Sequence, residues 1–301
     1  MKRTRRIWAS VGPEKVPQIL PAIERLGLTG SWRQGHPAIS AHIEHTFEEN
    51  DARIAELRRV WKEAGLEEWR WGERQEATYT DKELRAAPLL ELSLEASPRE
   101  VVYDTGTFDL ARGCPKCHSG APQVAPMKIR PSALPKKVPM CQTIDFAYLL
   151  SEPLFQALSL AGLTGLELMR VQDTKGNPLA WWQFVPRHVM PPMAPETRGW
   201  MRDIEPLFDP TAPKKGCPAC KRDRYCVNNT HEVPQIAYRR SQLRDAPLPD
   251  VAETWECQGV WSLPNQIAGR GRVLLSPKVY DIFKRFKIRG IQFTPVLIVE
   301  D

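Results

Sequence analysis

Two short stretches are the strongest indication of how this chain folds: Gly113-Cys114-Pro115-Lys116-Cys117 and Gly216-Cys217-Pro218-Ala219-Cys220. Each is a Cys-x-x-Cys pair that follows a glycine and has a proline between its cysteines. The pattern is typical of a zinc knuckle, and two knuckles supply the four sulfurs of a tetrahedral zinc site. About a hundred residues separate the pairs, whereas a zinc ribbon has roughly 15–20 between them. We therefore predict one structural Zn²⁺, bound by Cys114, Cys117, Cys217 and Cys220, that joins distant parts of one domain.

Other interpretations of these pairs stay open. A redox dithiol would need a thioredoxin-like context, and proline-rich loops surround both pairs instead. Two separate disulfides are the other alternative. His118 directly follows Cys117 and could replace a thiolate, although a supporting or solvent-facing role fits it better. The remaining cysteines, Cys141, Cys226 and Cys257, are interpreted as small buried hydrophobes.

Length and composition favour an ordinary globular protein. A chain of 301 residues suits one large domain or two smaller ones, and 42% apolar residues suffice for a core. Apolar runs stay well below the ~18 residues of a membrane span. The basic start, Met1–Arg6, is followed by only three apolar residues, so it lacks the apolar region of a secretory signal. We expect a cytoplasmic protein without a membrane partner, in which thiols stay reduced.

Hydrophobic periodicity predicts an α+β fold that begins with a small module over residues 1–96. Amphipathic helices are predicted over 13–26 and 48–64. Strands are predicted around them, with 89–94 as the last one. The order β-α-β-β-α-β resembles a ferredoxin-like module.

An internal repeat lies in the rest of the chain. Leu149–Val171 and Leu274–Val296 align without a gap over 23 residues. Each copy reads as a strand, a serine at the helix N-cap with proline in the first turn, an amphipathic helix, a glycine and a second strand. We predict a zinc-binding domain over 97–301, built from two related knuckle-plus-βαβ halves at about 97–190 and 200–301. Chance similarity of two amphipathic segments is the alternative.

Charge is unevenly distributed along the chain. The total is +6, with −1 over residues 1–96 and +7 over 97–301. Part of the excess lies beside the second knuckle, at Lys214, Lys215, Lys221, Arg222 and Arg224. Such a set could contact phosphate or an acidic protein, although many basic runs are simply solvated surface.

Motifs of catalysis are missing from the sequence. It has no GxGxxG, P-loop, HExxH or GxSxG pattern. We therefore predict no catalytic residues. A zinc enzyme would need a ligand other than thiolate, because its metal keeps an open position.

The two knuckles, together with the tail segments Gly271–Pro277 and Gly290–Val296, resemble the double-CXXCG motif family described from myxobacteria. Members of that family are regarded as immunity proteins of a contact-dependent toxin system. The resemblance covers about residues 100–299, and it differs in one respect: glycine follows the second cysteine in the family, whereas His118 and Lys221 stand there in this chain. It implies a zinc-binding, non-enzymatic protein whose partner is a cognate toxin. The alternative is a nucleic-acid-binding zinc protein that uses the basic residues near 214–224.

Overall fold

The computed structural model describes residues 1–28, 32–34, 41–66, 71–94, 107–143, 147–201, 217–222, 224–227, 233–243, 247–258 and 270–301. The chain is mixed α and β, with several mainly antiparallel sheets. It divides into two compact units, Met1–Thr80 with Val227–Pro234, and Asp81–Cys226 with Gln235–Asp301. Among the described residues, no helix combines the length and apolar character needed to cross a membrane.

The first unit is one antiparallel sheet with two helices. Its elements are β1 (Lys2–Val11), α1 (Val16–Arg25), β2 (Trp32–Gln34), β3 (Ala41–Glu48), α2 (Arg53–Glu63) and β4 (Trp71–Thr78). The strand order is β2-β3-β1-β4, and each neighbouring pair is antiparallel. The sequence of elements is therefore β-α-β-β-α-β.

Alternation along β1 decides which face of this sheet is covered. Ile7, Ala9 and Val11 are buried, while Arg6 and Ser10 between and beside them are not. This period of two is that of a strand with one face in a core. The buried side joins the apolar faces of α1 and α2 in one hydrophobic cluster.

The second unit holds the remaining helices and strands. They are α3 (Asp81–Ala86), β5 (Leu90–Leu94), β6 (Met140–Gln142), β7 (Tyr148–Ser151), α4 (Glu152–Leu160), β8 (Leu166–Gln172), β9 (Pro178–Pro186), β10 (Trp200–Met201), β11 (Arg224–Val227), β12 (Ala237–Arg239), β13 (Val251–Glu253), β14 (Cys257–Gln258), β15 (Val273–Leu275), α5 (Pro277–Arg285), β16 (Ile291–Pro295) and β17 (Leu297–Val299).

Two four-stranded sheets form the main part of this unit, in the orders β6-β7-β9-β8 and β13-β15-β5-β16. Every neighbouring pair in both sheets is antiparallel. In each sheet a helix joins two strands that lie on either side of a central strand: α4 joins β7 to β8 around β9, and α5 joins β15 to β16 around β5. The aligned segments 149–171 and 274–296 thus both form strand–helix–strand, as their pattern predicts.

Backbone details recur in the two copies at a constant offset of 125 residues. Ser151 and Ser276 stand at the helix N-caps with φ/ψ of −69°/159° and −71°/158°. Neither serine side chain bonds to its helix; the Ser276 hydroxyl instead donates to Asp250 at 2.7 Å. Gly165 and Gly290 both have left-handed backbone, with φ of 76° and 72°.

The end of each copy also makes the same kind of contact. At the last residue of β8, the Gln172 N–H donates to the Met127 carbonyl, in a parallel bridge with Lys128. After β16, the Leu297 N–H donates to the Ile236 carbonyl, as β17 pairs in parallel with β12.

The strand Leu90–Leu94 corrects one sequence-based prediction. The pattern predicts 89–94 as the last strand of the N-terminal module, but β5 is an interior strand of the second sheet, paired with β15 and β16. The physical reason is burial on both faces, since Leu90, Leu92 and Leu94 are all buried and so is Glu91 between them. A strand of that kind needs a neighbour on each side and cover above and below.

One core lies between the two sheets. Alternate residues of β7 and β15, such as Tyr148, Leu150 and Leu275, belong to the same cluster as α4 and α5. The opposite faces of these strands join two separate smaller clusters, with Leu149 in one and Leu274 in the other. Both halves therefore contribute to one shared core, and neither buries its apolar face alone.

Candidate metal centre

The two knuckles have the same backbone structure. In the first, the Cys114 N–H donates to the Ser119 carbonyl at 3.1 Å, and the His118 N–H donates to the Cys114 carbonyl at 2.8 Å. In the second, the corresponding bonds join Cys217 to Arg222 at 3.0 Å and Lys221 to Cys217 at 2.8 Å. Each loop is thus closed by a pair of bonds that holds both cysteines on one side.

Glycine is required before the first knuckle because the loop closes tightly there. A Cβ added to Gly113 would lie 2.7 Å from the His118 carbonyl oxygen and 2.9 Å from the Ala121 Cβ. Contacts below 3.0 Å with backbone atoms force a rearrangement. The glycine that the sequence places before Cys114 therefore has a local steric cause.

The loops bring four sulfurs together. The Sγ atoms of Cys114, Cys117, Cys217 and Cys220 all lie within 4.8 Å of one another. Two contacts of 3.6 Å cross between the knuckles, from Cys114 to Cys217 and from Cys117 to Cys220. These distances are far beyond the ~2.05 Å of a disulfide. They agree with the edge of about 3.8 Å in a tetrahedron whose metal–sulfur bonds are about 2.3 Å.

Burial separates the four ligand candidates. Cys114, Cys117 and Cys217 are buried, and Cys220 is half-buried. Burial raises the pKa of the Cys114 thiol, but hydrogen bonds donated by the backbone of Lys116 and Cys117 outweigh that effect. The resulting pKa is about 6, below the ordinary value of a cysteine thiol.

The other shifted thiols resist ionisation. Burial, opposed by the hydrogen bonds between Cys117 and Ser119, raises the pKa of the Cys117 thiol. Burial and the neighbouring sulfurs raise the pKa of Cys220 to about 12. Four adjacent thiolates therefore need a cation among them. The cluster has the donors, spacing and burial to hold one metal ion.

His118 does not belong to this group of four. The histidine is half-buried, and its Nδ1 is a buried atom with no hydrogen-bond partner in the described part of the chain. Its backbone has φ of 54°, as Lys221 in the second knuckle has φ of 59°.

Ser119 and Cys257 both lie against the site, and the sequence predicts neither role. The Cys117 thiol donates to the Ser119 hydroxyl oxygen at 3.2 Å, and the Cys257 thiol approaches the same oxygen at 3.5 Å. Ser119 lies two residues after Cys117, so position along the knuckle could have identified it. No spacing connects Cys257 to that knuckle, because 138 residues separate it from Ser119.

The other predicted residues have different outcomes. Cys141 and Cys257 are buried, as predicted, while the side chain of Cys226 lies outside the described part. Lys214, Lys215 and the side chain of Arg224 also lie outside it. In the described part of that basic set, Lys221 is exposed, and the Arg222 guanidinium lies over the Trp255 ring, 3.9 Å from its centroid.

Comparison with known proteins adds no relative. No protein-family model matches the chain, and a search of curated proteins finds no match.

Proposed function

We propose that this chain is a cytoplasmic binding protein stapled by one structural Zn²⁺, and that it acts as an immunity protein by binding a cognate toxin. The observation that carries the zinc assignment is the set of four sulfurs within 4.8 Å of one another, with 3.6 Å contacts across the knuckles. An all-sulfur tetrahedral set is the donor set of structural zinc sites, although iron shares it. Four thiolates fill the coordination shell, which leaves no position for a reacting water.

The staple interpretation is supported by where the knuckles lie. They are 103 residues apart in sequence, and each precedes one strand–helix–strand segment. Because the two sheets share one core, a metal that also joins the knuckles would stabilise the association of the two halves. Metal analysis of the purified protein tests this directly: one zinc per chain is expected, and iron, two zinc ions or none would overturn it.

The finer architecture belongs to the same proposal. Strand order β2-β3-β1-β4 with all-antiparallel pairing supports a ferredoxin-like first unit. Matching sheet orders, caps and left-handed positions at an offset of 125 residues support a duplication in the second unit. An experimental structure in which 148–172 and 273–297 fail to superpose would contradict the duplication.

Support for the immunity role comes from the resemblance to the double-CXXCG pattern. That pattern has glycine after the second cysteine, and the residues at this position here, His118 and Lys221, have the left-handed backbone that glycine adopts most easily. The difference in residue type thus leaves the loop conformation expected of a CXXCG knuckle. An immunity protein neutralises by occluding its toxin, which requires a binding surface and no catalytic group.

Co-expression is the test of the binding role. The product of the neighbouring gene, as the candidate toxin, would be expressed in a bacterial host with and without this chain. We expect restored growth and a stoichiometric complex in size-exclusion chromatography. Restored growth without a complex, abolished by one polar substitution that leaves zinc content unchanged, would instead indicate an enzyme. Steeply salt-dependent binding of an oligonucleotide would indicate the nucleic-acid-binding alternative.

A further inference from the structure

Three arginines from distant parts of the second unit meet beside the first knuckle. Arg187 follows β9, Arg222 follows the second knuckle, and Arg270 precedes β15. The Arg187 Nη2 donates to the Gln123 carbonyl at 3.3 Å, and the Arg270 Nη2 donates to Gln123 Oε1 at 3.4 Å. Arg222 lies alongside Gly120, where an added Cβ would be 2.9 Å from its Nη2. The segment 120–123 thus carries three guanidinium groups, which we call the arginine cluster.

The partners of this cluster hold it in place. Gln123 is buried and exchanges two side-chain hydrogen bonds with Gln183, at 2.7 and 2.8 Å. The Arg222 guanidinium lies 3.9 Å from the centroid of the Trp255 ring, and that of Arg270 lies 5.5 Å from the centroid of Phe108. Stacking on a ring face orients a guanidinium without using its hydrogen-bond donors.

The cluster remains accessible and carries excess positive charge. Arg187 is exposed and pairs with Glu167, while Arg222 and Arg270 are half-buried. One further carboxylate, that of Glu253, is within the field of all three arginines. Burial raises the pKa of Glu253, and the charges of Arg270, Arg222 and Arg187 lower it in part. In the described part of the chain, the three arginines thus lie near two carboxyl groups, those of Glu167 and Glu253.

We propose that the arginine cluster, with Trp255, is the docking site for an acidic segment of the protein partner. The proposal deepens the binding role and rests on it only for the statement that the partner is a protein. Planar guanidiniums bind carboxylates through two parallel hydrogen bonds, which gives direction as well as charge. Arginine and tryptophan are also the residues most enriched at the energetic centres of protein interfaces.

Carboxylates fit this site better than a nucleic-acid backbone does. A nucleic-acid surface is normally an extended basic stripe, whereas this cluster is compact. One or two guanidinium groups suffice to bind one acidic side chain, so a compact cluster of three arginines is large enough for a short acidic segment.

The test uses the full-length, zinc-loaded protein and a fluorescein-labelled hexaglutamate peptide as probe, titrated at low ionic strength. Arg222→Ala with Arg270→Ala should weaken peptide binding by about tenfold or more. The matched control is Arg285→Ala with Arg289→Ala, two exposed arginines whose removal lowers the net charge by the same amount outside the cluster. The control should leave binding within about twofold, since it changes only long-range attraction. Equal weakening by the control and the double variant would overturn the proposal.

Two further variants separate folding from binding. Arg187→Ala removes an exposed side chain, so it should weaken peptide binding while the zinc content and the melting temperature of the protein stay unchanged. Arg222→Lys keeps the charge but loses the planar guanidinium, so its affinity for the peptide should lie between that of the wild type and that of Arg222→Ala. Full retention of binding by both variants would contradict the proposal. A 12-nucleotide single strand that binds more tightly than the peptide would contradict it as well.

The two proposals fail in different ways. If hexaglutamate binding depends on the cluster but no toxin complex forms, the docking site stands and the immunity role fails. If the complex and the restored growth survive Arg222→Ala with Arg270→Ala unchanged, the immunity role stands and the docking site fails.

Discussion

His118 and Lys221 occupy the same position in the two knuckles and share the same left-handed backbone, with φ of 54° and 59°. Each follows the second cysteine of its pair and donates its N–H to the carbonyl of the first. Neither is glycine, which adopts this conformation at no steric cost, and histidine is enriched there relative to lysine. The loop that holds the sulfurs in place therefore imposes a backbone conformation that these side chains disfavour.

Substitution at these two positions should reveal that cost. At residue 118 and at residue 221, the glycine variant should be more stable than the alanine variant by about 1 kcal/mol. A left-handed L-residue costs roughly 1–2 kcal/mol, and the greater freedom of glycine in the unfolded chain offsets part of that difference. Comparison of glycine with alanine removes the contribution of the original side chain. Chemical denaturation of the zinc-loaded protein measures the difference. Alanine variants as stable as glycine variants would show that the backbone is unstrained there.

Loss of one cluster cysteine should remove the metal and destabilise the second unit. Cys114→Ser is expected to abolish stoichiometric zinc binding, because it removes one of four thiolate ligands. The second unit should then be less stable, because binding energy at structural zinc sites is folding energy, on the order of 10 kcal/mol in small zinc peptides. Metal analysis and hydrogen exchange of the β7 and β15 peptides are the measurements. Cys141→Ala is the matched control, since Cys141 is buried but lies outside the cluster. Zinc loss in the control, or full zinc in Cys114→Ser, would refute the assignment of ligands.

The glycine before β8 should tolerate no side chain at all. A Cβ on Gly165 would lie 2.1 Å from the Val251 carbonyl oxygen, and φ is 76°. Gly162 has φ of 58° but nothing within 4 Å of an added Cβ. Gly162→Ala should therefore cost about 1 kcal/mol from backbone strain alone. Gly165→Ala should cost about 2–5 kcal/mol, because a clash with backbone adds to the same strain. Equal free energies of unfolding for the two variants would contradict this close approach.

Much of this architecture is local and could be predicted from sequence. The knuckles are recognisable because the same Cys-x-x-Cys spacing occurs twice. The two strand–helix–strand segments are recognisable because apolar residues recur with a period of 3.6 residues between a serine and a glycine. Hairpin β8–β9 is equally local: its turn contains Gly176 and ends at Pro178, and the Asp173 carboxylate accepts hydrogen bonds from the Lys175 and Asn177 N–H groups. All of these signals lie within about 25 residues of chain.

The misassigned features depend on long-range pairing. Strand β5 pairs with β15 and β16, which lie roughly 180–200 residues later, and no local pattern identifies such a partner. Its run Leu89-Leu90-Glu91-Leu92 does indicate a strand buried on both faces. Glu91 is buried there as well, paired with Arg272 at 3.4 Å. The arginine cluster escaped prediction for the same reason, because its three members come from three separate segments.

The first unit contains a buried ion pair with a testable pH dependence. The Glu73 side chain is 2% exposed and accepts hydrogen bonds from Arg58 on α2 and from Arg5 on β1, the latter at 2.6 Å. Burial raises the pKa of Glu73, but the two arginines hold that pKa below its ordinary value. A carboxyl whose folded pKa is depressed stabilises the fold above its unfolded pKa of about 4.3 and loses that contribution as pH falls through the folded pKa.

Glu73→Gln should therefore destabilise the first unit most at neutral pH. The arginines left without compensation are 21% and 37% exposed, so the loss should lie between the ~0.5 kcal/mol of an exposed pair and the ~3–5 kcal/mol of a fully buried one. As pH falls from about 4.3 through the depressed folded pKa of Glu73, the variant and the wild type should converge, since protonation neutralises Glu73 as the amide does. Hydrogen exchange of the β1 and β4 peptides in the full chain reports this unit. The control is Glu63→Gln, which removes an exposed i,i+4 partner of Arg59 and should change stability by less than about 0.5 kcal/mol. Equal effects of the two variants at pH 7 would show that the buried pair does not stabilise the first unit.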